Sequence, residues 1–202
     1  ATSIDAQDRY PLNWEDVERE SLEHFFALLR TNTSNPPGNE TAVASYLEGV
    51  LEKDGIEAEL FALDPDRANM VARLKGNGSK EPLLVMAHTD VVGVQPENWS
   101  VDPFGAVQKD GYIYGRGALD DKDNVTASLM LMLLLQRSGV ELDRDVIFLA
   151  EAGEEGTTAY GIDYMVENHW DKIGAEYCLA EGGGTISQGG VVRRVGITTT
   201  EK

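Results

Sequence analysis

The sequence predicts an α/β protein of three layers, with helices on both faces of a largely parallel central sheet. Short continuous apolar runs, of which residues 83–87 are the clearest, read as strands covered on both faces. They alternate with helix-length segments of helical period, the pattern of layered α/β domains. A chain of 202 residues at 42% hydrophobic content can enclose one sizeable core.

Each element follows from local chemistry. Asn13 is placed to cap a helix over residues 14–30, whose apolar face takes Trp14, Val17, Leu22, Phe25, Phe26 and Leu29. Residues 31–38 hold two prolines and small polar side chains, so they predict a loop. Asn39 opens a second helix, buried through Val43, Tyr46, Leu47, Val50 and Leu51, with Gly55 as its left-handed stop. Residues 56–61 largely alternate and read as a strand, as do 70–74 and the apolar run 83–87. Residues 107–114 predict a hairpin turning at Asp110-Gly111. A strongly apolar helix over 122–138 ends at Gly139, and 145–150 form a second buried strand. A helix over 161–169 and a third interior strand over 176–180 complete the alternation. Residues 191–202 are strand-like and stop abruptly, which predicts that the polypeptide is part of a longer one.

Charge excludes several functions. Lys and Arg number 17 against 35 Asp and Glu, a net charge of −18. A nucleic-acid binder needs a basic stripe to neutralise phosphates, and an anionic membrane surface would repel this chain. The longest apolar stretch, residues 125–135, contains Thr126 and Ser128 and is too short to span a bilayer. The single cysteine, Cys178, excludes an internal disulfide framework and a cysteine-rich zinc module. The N-terminus lacks the charged start and apolar core of a signal peptide, yet opens on Ala1-Thr2-Ser3 without methionine. The expectation is a soluble protein, with the compartment open between periplasmic or exported and cytoplasmic.

The chemistry gathers at strand ends. Residues 83–87 run into His88-Thr89-Asp90, residues 145–150 into Glu151-Ala152-Gly153-Glu154-Glu155-Gly156, and residues 176–180 into Glu181 and three glycines. In open α/β sheets, ligands bind outside the carboxyl ends of the strands, so these distant segments converge on one crevice. A glycine loop, Gly115-Arg116-Gly117-Ala118-Leu119-Asp120-Asp121-Lys122, carries adjacent aspartates into the long helix. Convergent carboxylates repel one another unless a cation sits among them. One imidazole with several carboxylates is a nitrogen and oxygen donor set suited to zinc, with manganese or cobalt as substitutes.

Plainer readings exist for each motif. Asp120 and Asp121 also suit a helix N-cap, where the macrodipole favours them. Glu154-Glu155 alone would be a solvated acidic turn. The glycines around Arg116 invite a phosphate-loop reading, but the spacing fits neither the Walker nor the dinucleotide fingerprint, and the aspartates would repel phosphate. Lys53 and Lys122 read as solvated charges, and Trp99, Pro103 and Phe104 as packing beneath the crevice. Arg116 either steadies a nearby carboxylate or pairs with a surface acid.

Taken jointly and in order, His88-Thr89-Asp90, residues 114–122 and Gly153-Glu154-Glu155-Gly156 resemble the leading motifs of a dinuclear-zinc hydrolase family. That family contains the aminoacylases, glutamate carboxypeptidase, yeast vacuolar carboxypeptidase S, carnosinase-type dipeptidases and succinyl-diaminopimelate desuccinylase. The context Glu97-Asn98-Trp99-Ser100-Val101-Asp102-Pro103-Phe104 resembles the carboxypeptidase S and N-acyl-amino-acid hydrolase branch most, and the similarity runs from about Trp14 to the end.

The resemblance implies a zinc-exopeptidase-like fold and a role for each residue. His88 would bind one metal and Asp90 would orient its imidazole. Asp120 would bridge two zinc ions, with Asp121 its rival for that place. Glu155 would bind the second metal and Glu181 the first. Glu154 would be the general base that takes a proton from metal-activated water. The implied reaction is hydrolysis of an amide bond in a small peptide or N-acyl amino acid, by an enzyme of carboxypeptidase, dipeptidase or aminoacylase type.

The family completes its second metal with a further histidine, after an inserted lid that also forms the dimer. This chain has only His24, His88 and His169, and neither of the other two stands at a strand end. Residues 198–202 resemble the point where the lid begins. The chain therefore reads as the first segment, residues 1–202, of a split catalytic domain. The lid, the homodimer surface and the closing segment would then lie elsewhere. Two rival classes remain: a catalytically incomplete metal-binding fragment, and a nucleotide-binding α/β module that the acidic balance disfavours.

Overall fold

The computed structural model describes residues 10–196. Helix α1 (Trp14–Arg30) begins where the Asn13 side chain accepts the Glu15 N–H, with Glu15 and Asp16 in its first turn and Arg30 in its last. Those charges complement the helix dipole. The expected loop after it contains a two-residue strand, β1 (Ser34–Asn35). Helix α2 (Glu40–Lys53) follows, but Asn39 makes no side-chain cap. Gly55 does take the left-handed conformation that was expected of it, at φ 74°.

Strands β2 (Ala58–Ala62), β3 (Ala68–Leu74), β4 (Leu83–His88) and β5 (Val91–Val92) come next, then the hairpin β6 (Val107–Lys109) and β7 (Tyr112–Tyr114). Asp110 and Gly111 at its turn both have positive φ, 53° and 81°, as a tight primed turn requires. Helix α3 (Lys122–Ser138) stops at left-handed Gly139. Strand β8 (Val146–Glu151), helices α4 (Ile162–Asn168) and α5 (Trp170–Ile173), and strands β9 (Tyr177–Leu179), β10 (Gly184–Gln188) and β11 (Val191–Gly196) complete the order.

The central sheet has the order β2-β3-β8-β4-β9. Strand β4 is parallel to β8 and β9, while β3 is antiparallel to both β8 and β2. Four of the five strands therefore run the same way, with β3 alone reversed. Alternation along each strand divides the core. Met70, Ala72, Val85, Ala87, Phe148 and Ala150 face α1, α2 and α3 through Leu28, Leu47, Leu51, Leu129 and Leu133. Val71, Leu84, Ile147 and Leu149 face α4 and α5 through Met165 and Ile173. This is the predicted three-layer arrangement.

Two expectations are corrected. The strand over 176–180 is not interior: β9 is an edge strand among the described residues, and Tyr177 and Leu179 are each 58% exposed. Its apolar sequence is matched by a partner on one side only. Gly182-Gly183-Gly184, whose plain reading is a flexible turn, leads into β10, which begins at Gly184 and pairs antiparallel with β11. Residues 198–202, where the lid was expected to begin, lie outside the described residues. No helix among those described is long and apolar enough to cross a membrane.

Parallel direction puts the carboxyl ends of β4 and β8 side by side, with His88 level with Glu151. Strand β9 joins the same edge, Leu179 lying level with Val85. The loops that leave these ends carry the acidic motifs.

Candidate metal centre

His88, the last residue of β4, is almost fully buried. Its Nδ1 lies 3.0 Å from the Asp90 carbonyl oxygen and 3.4 Å from Asp90 Oδ1. Both are acceptors, so Nδ1 donates. Its Nε2 lies 2.9 Å from Asp120 Oδ1 and 3.7 Å from Glu181 Oε2. Burial alone would favour the neutral ring, but the hydrogen bonds to Asp90 and Asp120 outweigh it and push the His88 pKa up to about 10. A positive charge is thus stabilised where these carboxylates meet.

Two groups of donor atoms converge within 4.8 Å of one another, His88 with Asp120 and Glu155, and His88 with Asp121 and Glu181. Asp120 is well exposed at 63%, whereas Asp121 is fully buried. Asp121 occupies the N-cap position of α3 but makes no side-chain cap to the helix backbone. Its Oδ2 instead accepts the His88 N–H at 3.2 Å, and Asn124 donates to its Oδ1. Burial raises the Asp121 pKa. Burial, and then the nearby Asp120 charge, raise that of Glu155. Imidazole plus paired carboxylates, each penalised by the others' charge, is a donor set that a divalent cation relieves.

Asp90 holds the site together. It is fully buried, and its Oδ1 accepts the Glu154 N–H while its Oδ2 accepts the Glu155 N–H, both at 3.1 Å. Asn35 Nδ2 donates to Oδ2 at 2.8 Å. Burial would raise its pKa, but the His88 and Asn35 hydrogen bonds prevail and lower it. One carboxylate therefore fixes both the His88 ring and the backbone of the Glu154-Glu155 pair. Asp90 does this from beyond the end of β4, not from a shared strand face.

Glycines let the loops close. Gly117 has φ 86°, and a Cβ there would stand 2.8 Å from Val91 Cγ1. Gly153 has φ 76°, and a Cβ would stand 2.6 Å from the Thr157 carbonyl oxygen.

His24 and His169 lie elsewhere. His24 Nδ1 pairs with the Tyr46 hydroxyl at 2.7 Å, and His169 Nε2 with the Tyr164 hydroxyl at 3.0 Å. Arg116 has its guanidinium carbon 5.6 Å from the Trp99 ring centroid, and its backbone N–H donates to the Pro103 carbonyl.

Sequence reasoning missed three residues here. Lys122, read as solvated, is completely buried. Its Nζ donates to the Leu28 carbonyl at 2.9 Å and the Thr31 carbonyl at 2.7 Å. Burial lowers its pKa to about 8. The available signal was a cation in the first turn of a helix, where the dipole disfavours it. Glu151 is buried at the end of β8, and burial, with the charges of Glu154 and Asp90, pushes its pKa up to about 7 despite opposition from His88. Asn35 gave no periodic signal at all.

Comparison with known proteins identifies relatives of this chain. Residues 84–199 match the model of Peptidase family M20/M25/M40. The chain is 31% identical over 145 residues to N-formyl-4-amino-5-aminomethyl-2-methylpyrimidine deformylase of Bacillus subtilis, covering 70% of this chain and 34% of that one. It is 34% identical over 140 residues to a probable succinyl-diaminopimelate desuccinylase of Staphylococcus aureus, covering 68% of this chain and 34% of that one. The present chain thus spans about a third of the length of these curated relatives. Among solved structures, a family M20 metallo-carboxypeptidase from Sulfolobus solfataricus superposes with TM-score 0.71 at 30% identity, over 82% of this chain and 38% of that one. Human carnosine dipeptidase 1 shares the fold, with TM-score 0.69 at 17% identity over 83% and 40% of the two chains.

Proposed function

Because the chain belongs to Peptidase family M20/M25/M40, a family of metal-dependent hydrolases of amide bonds in small substrates, we propose that it carries the metal-binding and general-base half of such a hydrolase. The observation that carries the reading is two groups of donor atoms that share His88, one with Asp120 and Glu155 and one with Asp121 and Glu181, at the carboxyl ends of the strands.

Two zinc ions fit the donor set, with cobalt or manganese as substitutes. His88 and Glu181 would hold one ion, Glu155 the other, and Asp120 would bridge. Bound there, the metal would polarise the scissile carbonyl and make water nucleophilic near neutral pH. Glu154 is the general base: its carboxylate takes the proton of the attacking water and returns it to the departing amide nitrogen. Asp90 aims the His88 ring and, through two backbone N–H groups, seats Glu154 beside Glu155. The substrate is a small peptide or an N-acyl amino acid. Nucleic acid and membrane surfaces are unsuited to the acidic chain, and a homodimer would form through a lid of the kind the resemblance implies.

A second reading is a fragment that loads metal incompletely. It is favoured by His24 and His169, both paired with tyrosines and neither in a group with the carboxylates of the centre. Elemental analysis of the purified chain, with Asp120→Ala beside it, decides between them. Two zinc ions per chain, lost on mutation, support the dinuclear centre, and one ion supports the incomplete site. No zinc in a folded chain given excess metal refutes both. In any form of the protein that turns over a dipeptide or N-acyl amino acid, Glu154→Gln is expected to cut that turnover by roughly 10²–10⁴-fold with metal retained. Unchanged turnover refutes the general-base role.

A further inference from the structure

We propose that Asn35 is a positioning residue for this centre, acting through Asp90; the proposal rests on reading the site as a metal centre. Asn35 belongs to the connection between α1 and α2, far in sequence from every acidic motif. The structure nonetheless stitches that connection to the stretch just after His88. Strand β1 runs parallel to β5, with Asn35 level with Val92. Thr33 Oγ1 donates to the Thr89 carbonyl at 2.7 Å, and the Val91 N–H donates to the Thr33 carbonyl at 3.2 Å. Asn35 is 8% exposed and Asp90 not at all, so their 2.8 Å hydrogen bond is shielded from water.

The chemistry of the pair is specific. An ionised carboxylate only accepts, and it offers about four lone-pair sites. At Asp90 these face Asn35 Nδ2, the Glu154 N–H, the Glu155 N–H and the His88 ring. Asn35 is the one side-chain amide among them, and it shares Asp90 Oδ2 with the Glu155 N–H. The same amide lies flat on the acidic loop, since a Cβ on Gly156 would stand 2.7 Å from Asn35 Nδ2. Removing the donor frees Asp90 to turn, and the Glu154 and Glu155 amides and the His88 ring lose their common reference. Partners that orient metal ligands typically contribute 10–100-fold in metal affinity.

The test uses this chain with Asn35→Ala and Asn35→Leu. The second keeps the bulk against Gly156 but removes the donor. In metal-free protein, amide hydrogen exchange at Glu154 and Glu155 should quicken at least several-fold in both variants, while Phe148 in β8 stays protected. Zinc affinity, read by competition with a chromogenic chelator, should fall about tenfold. In an Asp90→Ala background, Asn35→Ala should add nothing to either readout. Unchanged exchange at Glu154 and Glu155 overturns the proposal. So does an effect confined to Asn35→Ala, which would assign it to packing against Gly156, or a loss additive with Asp90→Ala. A wild-type chain that takes up no zinc defeats the metal reading itself, and the exchange data still decide whether Asn35 orders the Asp90 loop.

Discussion

Arg67 grips Glu40 at two points, Nε to Oε2 at 2.6 Å and Nη2 to Oε1 at 2.7 Å, with both side chains almost wholly removed from solvent. The guanidinium also donates to the Pro37 carbonyl and stacks 4.6 Å from the Tyr160 ring centroid. It therefore ties the start of α2 to the loop that follows Glu155. Glu40→Gln leaves a buried cation without its counter-charge, which typically costs about 3–5 kcal/mol. Urea unfolding should show that loss as a lower midpoint at constant slope. Glu40→Leu with Arg67→Met should recover most of it. A loss from Glu40→Gln below about 1 kcal/mol would mean that the pair contributes little.

Lys122 makes a different kind of tie. Among the described residues its ammonium has no ion-pair partner, and it is held by two carbonyl oxygens at the end of α1. Lys122→Met keeps the apolar stem and removes the buried charge, but takes the ammonium donor from both carbonyls, of which Leu28 retains the Thr31 N–H. The two effects oppose, so the expected net loss is modest, about 1–2 kcal/mol. Lys122→Ala adds a cavity and should lose clearly more in the same unfolding experiment. Equal losses in the two variants would show that the stem is not packed as described.

Arg67 and Lys122 mark the boundary of what the sequence made legible. Helix α1, the hairpin at Asp110-Gly111 and the stop at Gly139 were all readable, because capping, primed turns and left-handed glycines are written in adjacent residues. The approach of His88 and Glu155 was readable too, since strand-end chemistry follows from topology, whereas Asp120 on its glycine loop was reached through the family resemblance. The burial of Lys122 was not, because it depends on carbonyls of Leu28 and Thr31, over ninety positions away. The exposure of β9 was equally hidden: Cys178-Leu179-Ala180 reports apolar character, not which neighbour covers it. Asn35 looked like one more polar loop residue before two prolines, and only the return of the chain at Val91 gives it a partner.

Gly153 tests how tightly the acidic loop is built. At φ 76°, alanine is strained, and its methyl would stand 2.6 Å from the Thr157 carbonyl oxygen, a backbone atom that cannot swing aside. Gly153→Ala should therefore displace Glu154 and Glu155 together. The expected result is a stability loss of about 1–3 kcal/mol with weaker zinc uptake. Gly139→Ala, also left-handed but with nothing within 4 Å of the added methyl, should lose stability alone. Full zinc affinity in Gly153→Ala would show that the loop tolerates displacement.

Strong acid should loosen the opposite end of the sheet. Asp145 Oδ2 accepts from Arg73 Nη1 at 3.0 Å and from Lys75 Nζ at 2.9 Å, while Oδ1 accepts the Gly76 N–H at 2.9 Å. Burial alone would raise its pKa, but these bonds lower it to about 2. A carboxylate depressed below its unfolded value of roughly 3.9 stabilises the fold above that pH. The contribution is present at neutrality and disappears as pH falls through about 2. Lys75 is mostly exposed, so screening trims the gain to on the order of 1–2 kcal/mol. Asp145→Asn should lose that much at pH 7, and its stability should converge on that of the wild type as pH falls from about 4 to about 2. A variant gap that stays constant over that range would show that packing, and not the ionised carboxylate, holds Gly76 against the sheet.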